Sequence, residues 1–315
     1  TEHGPPTTEP THSDTNMKRH LITCLLAATA LAGGGCTGET PKDDAPHYID
    51  IRSRAELHAW FRYSPERPVV ISGHRGGMTA GYPENCIESF EKTLSMMPSF
   101  LEIDPRLTRD SVIVLMHDAT IDRTTDGSGR VSDYTWEELQ RFRLKDRDGN
   151  LTPYRIPTLE ECIRWSRGKT ILNLDIKDVP LEFMSSFINR LDPPNVMYTV
   201  HNARQARMLL DRDPEAMFSA WCRNLDEYRA YREAGIPWSQ MQAYVGPMMP
   251  GDMQPLYDSL HRHGVMCMIS VAPTHDRRTT EQERIRGYEL EIPGGCDVIE
   301  TDYPCLFRGL DLTRR

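Results

Sequence analysis

Two carboxylates and a histidine lie close together in the segment SFLEIDPRLTRDSVIVLMHDAT, which covers residues 99–120. Glu102 and Asp104 fall within an apolar run, and side chains two residues apart on a strand point to the same face. Two unpaired carboxylates on a buried strand repel each other and lose hydration. A hard divalent cation, Mg²⁺ or Ca²⁺, relieves both costs because it binds carboxylate oxygens and water. Glu102 and Asp104 are therefore candidate metal ligands.

More polar side chains follow the ends of other predicted strands. The first strand leads into GHRGG, which contains His74 and Arg75, and a later strand leads into LNLDIK, which contains Asp175 and Lys177. We predict Asp175 to be the third metal ligand. Arg75 and Lys177 suit an anionic ligand, and the planar guanidinium of an arginine matches a phosphate.

The elements that must position these side chains alternate along the chain from residue 69 onward. Short apolar strands are separated by amphipathic helices, which predicts an α/β protein with a closed parallel (β/α)8 barrel, the TIM barrel fold. The predicted strands cover residues 69–72, 100–104, 171–176, 196–200, 217–221, 241–244, 265–271 and 297–301. The predicted helices cover residues 83–96, 159–166, 181–191, 204–211, 226–234, 255–263 and 281–290. Because the C-terminal ends of the strands hold the active site in such barrels, we expect the polar side chains to converge there.

A ninth apolar run, residues 112–116, does not fit as a barrel strand. Only seven residues separate Asp104 from Val112, whereas a parallel crossover needs a dozen or more. This run is therefore predicted to form a hairpin that turns around residues 108–111.

The expected register of this hairpin places residue 104 opposite residue 115 and residue 102 opposite residue 117. His117 would thereby return to the level of the two carboxylates. The hairpin would begin a small insertion after the second strand, about residues 105–157, with a short helix near residues 135–142.

The composition of the chain limits the classes of function. The 315 residues carry a net charge of -9, which disfavours a nucleic-acid binder because such proteins normally present a basic face. Beyond the N-terminal region there is no apolar run of 18 residues, so no membrane-spanning helix is predicted there.

Six short motifs together resemble one enzyme family. They are HRGG at His74, PEN at Pro83, EID at Glu102, MHDATIDRTTDGSG from Met116, DIK at Asp175 and TDYP at Thr301. The chain resembles the glycerophosphodiester phosphodiesterases, in a bacterial lipoprotein-type form, over roughly residues 69–308. This resemblance implies a TIM barrel with a small insertion after the second strand.

The resemblance also implies a function and two catalytic residues. It implies a phosphoric diester hydrolase that uses one divalent metal ion to convert small-molecule glycerophosphodiesters into glycerol 3-phosphate and an alcohol. His74 and His117 are implied to be the catalytic pair, in which one histidine takes a proton from the nucleophile and the other donates one to the leaving group. The nucleophile can be a vicinal hydroxyl of the substrate or a water molecule.

Two features depart from the family pattern. The third acid, usually Glu, is Asp175, which is one methylene shorter. The predicted seventh strand contains MCMISV from residue 266, without the Trp that often packs on the glycerol moiety. The second departure concerns the preference for glycerol and for the leaving alcohol.

Two alternatives remain at this point. One is a phospholipase D-like or C-like lyase that acts on a lipid phosphodiester in the same barrel, which an apolar lip near Met248, Met249 and Trp238 would favour. The other is a non-catalytic, lipid-anchored binding protein on the same scaffold.

The N-terminal region predicts export. Residues 1–16 are polar and Pro/Thr-rich, which indicates a disordered or misassigned extension. Residues 17–36 have a positive start, a short apolar run and small residues before Cys36, typical of a lipoprotein signal peptide. We expect a lipid on Cys36, membrane association through that lipid only, and an outer-membrane lipoprotein facing the periplasm or cell surface; ordinary secretion is the alternative. Residues 37–68 would be a tether and lead-in to the barrel.

Overall fold

The computed structural model describes Thr1, residues 46–249 and residues 251–314. The predicted signal peptide with Cys36, the extension after Thr1 and the tether up to residue 45 lie outside the described residues. In the part of the chain that is described, no helix combines the length and apolar character needed to cross a bilayer.

The strands and helices of the described chain follow the predicted alternation. The strands are β1 (Val70–Gly73), β2 (Phe100–Ile103), β3 (Pro105–Leu107), β4 (Ile113–Leu115), β5 (Leu172–Leu174), β6 (Val196–Val200), β7 (Phe218–Trp221), β8 (Met241–Gly246), β9 (Cys267–Ser270) and β10 (Val298–Thr301). The α-helices are α1 (Arg54–Trp60), α2 (Ile87–Met96), α3 (Trp136–Leu139), α4 (Leu159–Ser166), α5 (Leu181–Leu191), α6 (Ala203–Leu210), α7 (Leu225–Glu233), α8 (Gln254–Arg262) and α9 (Glu281–Glu291).

Eight of the described strands close into one parallel barrel in the order β1-β10-β9-β8-β7-β6-β5-β2. Barrel closure pairs β1 with β10, so that Gly73 lies beside Thr301, and β2 with β5, so that Glu102 lies beside Asn173. The predicted (β/α)8 fold is confirmed. Because all the strands point the same way, the residues after β1, β2, β5 and β10 meet at one end of the barrel, which we call the mouth.

Helix α1 closes the opposite end of the barrel, the floor, and was not predicted within the lead-in. The helix begins after Ser53, whose hydroxyl accepts a hydrogen bond from the amide of Glu56 at 3.1 Å and caps the first turn. Leu57 and Phe61 from this helix and its C-cap are buried in an apolar cluster. The other buried members of this cluster are Ile51, Phe100, Ile171, Met197, Met217, Met266, Met268 and Val298.

We expect Phe61→Ala to lower the free energy of unfolding by about 3–5 kcal/mol, because removing a buried ring loses transfer free energy and leaves a cavity. Phe61 is 1% exposed and packs edge to face on Phe100 at 5.4 Å between ring centroids. Urea denaturation followed by circular dichroism measures the change. Phe183→Ala is the matched control, because Phe183 is 40% exposed; equal losses in both variants would show that α1 does not seal the floor.

The predicted hairpin after β2 is confirmed, but its predicted register is wrong by one residue. β3 and β4 pair antiparallel with Pro105 opposite Leu115. The loop contains three residues instead of two, because Thr108 pairs with Val112 through an amide–carbonyl hydrogen bond of 3.0 Å. Its last residue, Ser111, has φ +63°, which is typical of a turn followed by one left-handed residue.

The chain after the hairpin forms a small apolar cluster of its own before α4 begins. Cys86, which precedes α2, and Val114 of β4 contribute to this cluster. Its other buried members are Met116, Ile121, Val131, Leu139, Leu144 and Ile156. The short helix predicted near residues 135–142 is the single turn α3, which Thr135 and Glu138 cap reciprocally.

Candidate active site

The mouth brings the three predicted acids together. Glu102 lies on β2, Asp104 directly follows it, and Asp175 directly follows β5. One carboxylate oxygen from each of the three lies within 4.8 Å of the others. The three acids therefore converge as the sequence predicts. Alternating strand side chains place Glu102 and Asp104 on one face, and the register of β2 with β5 places Asp175 beside them.

Asp104 is fully buried and is oriented by Asn85. The Asn85 amide nitrogen donates to Asp104 Oδ2 at 2.6 Å, and the backbone amide of Asp104 donates to Asn85 Oδ1 at 3.0 Å. Lys177 Nζ lies 2.9 Å from Asp104 Oδ1 and also bonds Asp175. The carboxylates consequently hold Lys177 at the mouth, where its charge is available to an anion.

Glu102 has one satisfied and one unsatisfied oxygen. The backbone amide of Arg75 donates to Glu102 Oε2 at 2.8 Å. Glu102 Oε1 is buried and has no hydrogen-bond partner among the described residues. Burial, followed by the charge of Asp104, raises the pKa of Glu102 well above its ordinary value. A cation bound beside this oxygen would reverse that shift.

Asp175 remains readily ionised. Burial opposes its charge, but the neighbouring His201, with Nε2 at 3.5 Å from Oδ1, and the ammonium of Lys177 together lower the pKa of Asp175 to about 2. The charge of Lys177 is stabilised in return, because Asp104 and Asp175 outweigh its burial and raise its pKa.

Arg75 has an unusual backbone conformation, and its guanidinium group already contacts two acids. Its φ is +54°, in the left-handed region, and this conformation directs its amide to Glu102. Its side chain donates to both oxygens of Glu84 at 3.1 and 3.2 Å, and its Nε lies 3.8 Å from Asp104. The neighbouring Gly76 is required, since a Cβ there would meet the Phe90 ring at 2.0 Å.

His74 is held by Asp302, an acid that was not predicted from the sequence to act at the site. Its Nδ1 hydrogen-bonds Asp302 Oδ1 at 2.6 Å, and its Nε2 lies 3.9 Å from Glu102. Burial disfavours the charged ring, but the hydrogen bond to Asp302 and the charges of Glu102 and Glu300 raise the pKa of His74 to about 10. The contacts of His74 therefore favour its protonated ring.

His117 has the opposite character. It follows the hairpin strand β4, is about one third exposed, and its Nδ1 pairs with Asp118 Oδ1 at 2.8 Å. Burial lowers the pKa of His117 below its ordinary value, although Asp104 and Asp118 act against this shift. Its backbone carbonyl accepts two hydrogen bonds from the guanidinium of Arg106, at 3.1 and 2.7 Å.

A chain of ion pairs joins the loop after β1 to the loop that carries His117. Glu84 is shared by Arg75 and by Arg123, whose guanidinium nitrogens lie 2.8 Å from each of the Glu84 oxygens. Arg123 also contacts Asp118 at 2.7 Å, and Asp118 holds His117. We call this series the mouth ion-pair chain.

Several residues at the mouth were not predicted from the sequence. Asp302 and Glu84 lie in the TDYP and PEN motifs, which were noted without a role for these acids. Asp302 is held in place by Asp276, because the backbone amide of Asp302 donates a hydrogen bond to Asp276 Oδ2 at 2.6 Å. Glu300, the acidic residue of β10, is 8% exposed and accepts a hydrogen bond from the Ser72 hydroxyl at 3.3 Å.

A cavity of about 170 Å³ extends from the mouth into the barrel. As the sequence indicates, β9 supplies no aromatic residue to it. Instead Trp221, at the end of β7, and Tyr244, within β8, line the cavity with ring centroids 5.5 Å apart. His201 packs edge to face on Trp221 at 4.5 Å.

The apolar lip suggested by the sequence does not form at Trp238. This ring stacks on Tyr228 at 5.0 Å and on His263 at 4.8 Å, and it precedes β8 at the floor. Met248 follows β8 and is 45% exposed. The described residues thus place Met248 and Trp238 at opposite ends of the barrel.

The fold and the mouth define a class of (β/α)8-barrel protein with acids, imidazoles and a lysine at the C-terminal ends of its strands. The family model of the glycerophosphoryl diester phosphodiesterase family matches residues 74–183. A crystal structure of a glycerophosphoryl diester phosphodiesterase from Parabacteroides distasonis is 50% identical, with a TM-score of 0.82, and covers 83% of this chain and 92% of that one. The chain belongs to the glycerophosphoryl diester phosphodiesterase family.

More distant similarities agree with this assignment. A glycerophosphodiester phosphodiesterase of Caldanaerobacter subterraneus is 36% identical over 110 residues, which is 34% of this chain and 45% of that protein. The chain therefore spans about half the length of the curated relatives it matches, or less. A phosphodiesterase of Oleispira antarctica in complex with sn-glycerol-3-phosphate is 18% identical, with a TM-score of 0.56 over 81% of this chain and 97% of that one; it shows the fold.

Proposed function

We propose that this protein hydrolyses glycerophosphodiesters to glycerol 3-phosphate and an alcohol. The observation that carries the proposal is the mouth, where His74, hydrogen-bonded to Asp302, and His117, paired with Asp118, accompany three converging acids and the ammonium of Lys177. Membership of the phosphodiesterase family supports it, as does the named activity of the Parabacteroides distasonis relative.

Glu102, Asp104 and Asp175 would hold one divalent ion, Mg²⁺ or Ca²⁺. The fit is supported by their converging oxygens and by the unpartnered, buried Glu102 Oε1. An all-oxygen ligand set suits these hard cations. When bound, the ion would neutralise charge on the nonbridging phosphate oxygens and lower the pKa of a nearby hydroxyl nucleophile.

The protein groups divide the remaining tasks. Lys177 would bind the phosphate, and Arg75 would add its charge while its amide positions Glu102. His117, with its lowered pKa, is suited to take a proton from the nucleophile. His74, kept protonated by Asp302, is suited to donate a proton to the leaving alcohol.

We expect Asp302→Asn to move the alkaline limb of the pH–activity profile toward lower pH by about one unit or more, because it removes the opposite charge that favours protonated His74. The alkaline limb moves to lower pH because Asp302 contributes to raising the pKa of His74 from 6.5 to about 10 in the folded state. The stability gained from this interaction is present below pH 6.5 and is lost as the pH rises through about 10. Initial rates between pH 6 and 11 measure the shift. Asp226→Asn, an exposed change on α7, is the control; an unmoved alkaline limb would remove His74 as the acid.

The cavity beneath the mouth would receive the glycerol end of the substrate. Its volume of about 170 Å³ is small, and its lining combines the aromatic faces of Trp221 and Tyr244 with polar groups such as Thr199 and Asn173. Such a mixture suits a three-carbon polyol better than a lipid chain. It also offers aromatic packing in place of the residue absent from β9.

Phosphorus NMR of glycerophosphocholine incubated with the protein and Mg²⁺ or Ca²⁺ tests the proposed function. Formation of glycerol 3-phosphate is the expected result. A cyclic phosphate as the final product would favour a lyase, and an unchanged spectrum would favour a binding protein, so either would contradict the proposal.

We also propose that the protein is exported and anchored by a lipid on Cys36. The support is the arrangement of residues 17–36 in the sequence. We expect Cys36→Ser to release the protein from membranes in a soluble, exported form, which cell fractionation and immunoblotting measure. A wild-type protein that is already soluble in the periplasmic fraction would contradict the anchor.

A further inference from the structure

A second cavity, of about 510 Å³, opens at the floor of the barrel. α1 and the turn after it form one wall, and the end of α8 forms another. The side chains with polar groups that line it are His58, Arg62, Tyr63, Ser239, Arg262 and the pair His261 and His263. None of the described residues that line this cavity is an aspartate or a glutamate.

This lining is unusual for the chain as a whole, which has 46 acidic and 37 basic residues. Two arginines face one cavity without a carboxylate to neutralise them. Within the described part of the chain, the guanidinium of Arg62 makes no hydrogen bond or ion pair. One guanidinium nitrogen of Arg262 donates a hydrogen bond to the Ser259 hydroxyl at 2.9 Å. The cavity therefore presents unused guanidinium donors and positive charge.

The nearest buried acid does not neutralise the arginines. Asp297 lies behind His261 and accepts a hydrogen bond from its Nε2 at 2.8 Å. The same carboxylate is bonded by Arg314 and by the amide of Cys267 at 2.6 Å. Its hydrogen-bonding capacity is thus occupied by residues outside the cavity wall, apart from His261.

The imidazoles of the cavity are fixed and have one nitrogen to spare. His58 Nε2 bonds the carbonyl of Glu215 at 3.0 Å, and His263 Nε2 bonds the Tyr228 hydroxyl at 3.0 Å. His261 is stacked on Tyr63, with 3.8 Å between centroids and 4° between planes. No hydrogen bond of Nδ1 occurs for these three histidines among the described residues. Fixed donors around a cavity lower the entropy cost of binding.

We propose that the floor cavity is a second ligand site, which binds a phosphate group through Arg62 and Arg262. Guanidinium groups match phosphate oxygens, and the volume lies within the range of about 300–1,000 Å³ typical of small-molecule sites. The phosphate can belong to a free phosphate monoester or to the headgroup of a lipid. This inference is independent of the function proposed for the mouth.

Isothermal titration calorimetry with glycerol 3-phosphate and with inorganic phosphate tests the free source. The full chain is compared with the double variant Arg62→Gln/Arg262→Gln and with Arg286→Gln, an exposed arginine on α9. Any binding at the mouth is common to all three proteins, so the difference isolates the floor. We expect the floor component to weaken about tenfold or more in the double variant, since charge-assisted hydrogen bonds are lost, and to be unchanged in Arg286→Gln.

Vesicles of phosphatidylcholine with and without phosphatidic acid test the lipid source, by sedimentation. Both arginines are exposed, so the double variant should fold and retain the turnover of the wild type. Loss of phosphate binding or of phosphatidic-acid binding in the double variant supports the site and identifies the source. Binding that is equal in all three proteins, or absent in both assays, would overturn the proposal.

Discussion

Replacing either His74 or His117 with alanine should lower kcat by about 10²–10⁴-fold, the usual contribution of a positioned general acid or base. The two losses have different physical origins. His74→Ala removes the proton that Asp302 holds at the mouth, and His117→Ala removes the neutral ring that can accept one. Steady-state kinetics with glycerophosphocholine measures both effects, and KM should change much less than kcat because the phosphate ligands remain.

The fold of both variants must survive for this result to have its catalytic meaning. His74 and His117 are partly exposed, so far-UV circular dichroism and the melting temperature should be close to those of the wild type. His58→Ala, a change at the floor, is the matched histidine control and should retain turnover. If both mouth variants unfold, these histidines are structural; if both fold and keep normal kcat, the proton-transfer assignment is wrong.

Exhaustive chelation should abolish turnover, and Mg²⁺ or Ca²⁺ should restore it, because the acids at the mouth offer only oxygen ligands. Metal binding should also be visible without turnover. At a free metal concentration 100 times Kd, the ion adds about 2.7 kcal/mol to the free energy of unfolding. Denaturation with and without metal measures this gain independently of catalysis.

Substitution of Asp175 sharpens the same test. Asp175→Asn should weaken metal affinity and reduce the stabilisation by metal, whereas Asp175→Glu should retain activity because it restores the side chain usual in the family. Asp226→Asn, on the exposed face of α7, should behave as the wild type. Full activity after dialysis against EDTA, or equal metal stabilisation of the wild type and Asp175→Asn, would remove these acids as ligands.

Much of the mouth follows from local sequence patterns. Strand alternation places Glu102 and Asp104 together, and a strand end places Asp175 beside Lys177. Three elements have the predicted bounds, Leu159–Ser166, Leu181–Leu191 and Val196–Val200. These features need only the period of a strand or a helix, which neighbouring residues determine.

The missed features depend on distant residues or on single backbone angles. Asp302 reaches His74 across 228 positions of sequence, and only the closure of β1 against β10 brings them together. α1 has seven residues and one buried side chain, Leu57, so its amphipathic pattern is too short to detect. The hairpin register depends on the left-handed conformation of Ser111, which adds one residue to the loop.

We expect the mouth ion-pair chain to make the proposed catalysis more sensitive to ionic strength than the stability of the fold is. Its inner member, Glu84, is 7% exposed, whereas the outer link from Arg123 to Asp118 has side chains 47% and 31% exposed. Salt screens the exposed link more strongly than the buried one, since the Debye length falls from about 10 Å at 0.1 M to about 3 Å at 1 M. His117, at the outer end, would lose its orientation while the barrel, stabilised by apolar packing, stays folded. We therefore expect kcat at saturating substrate to decline with added salt well before the melting temperature does.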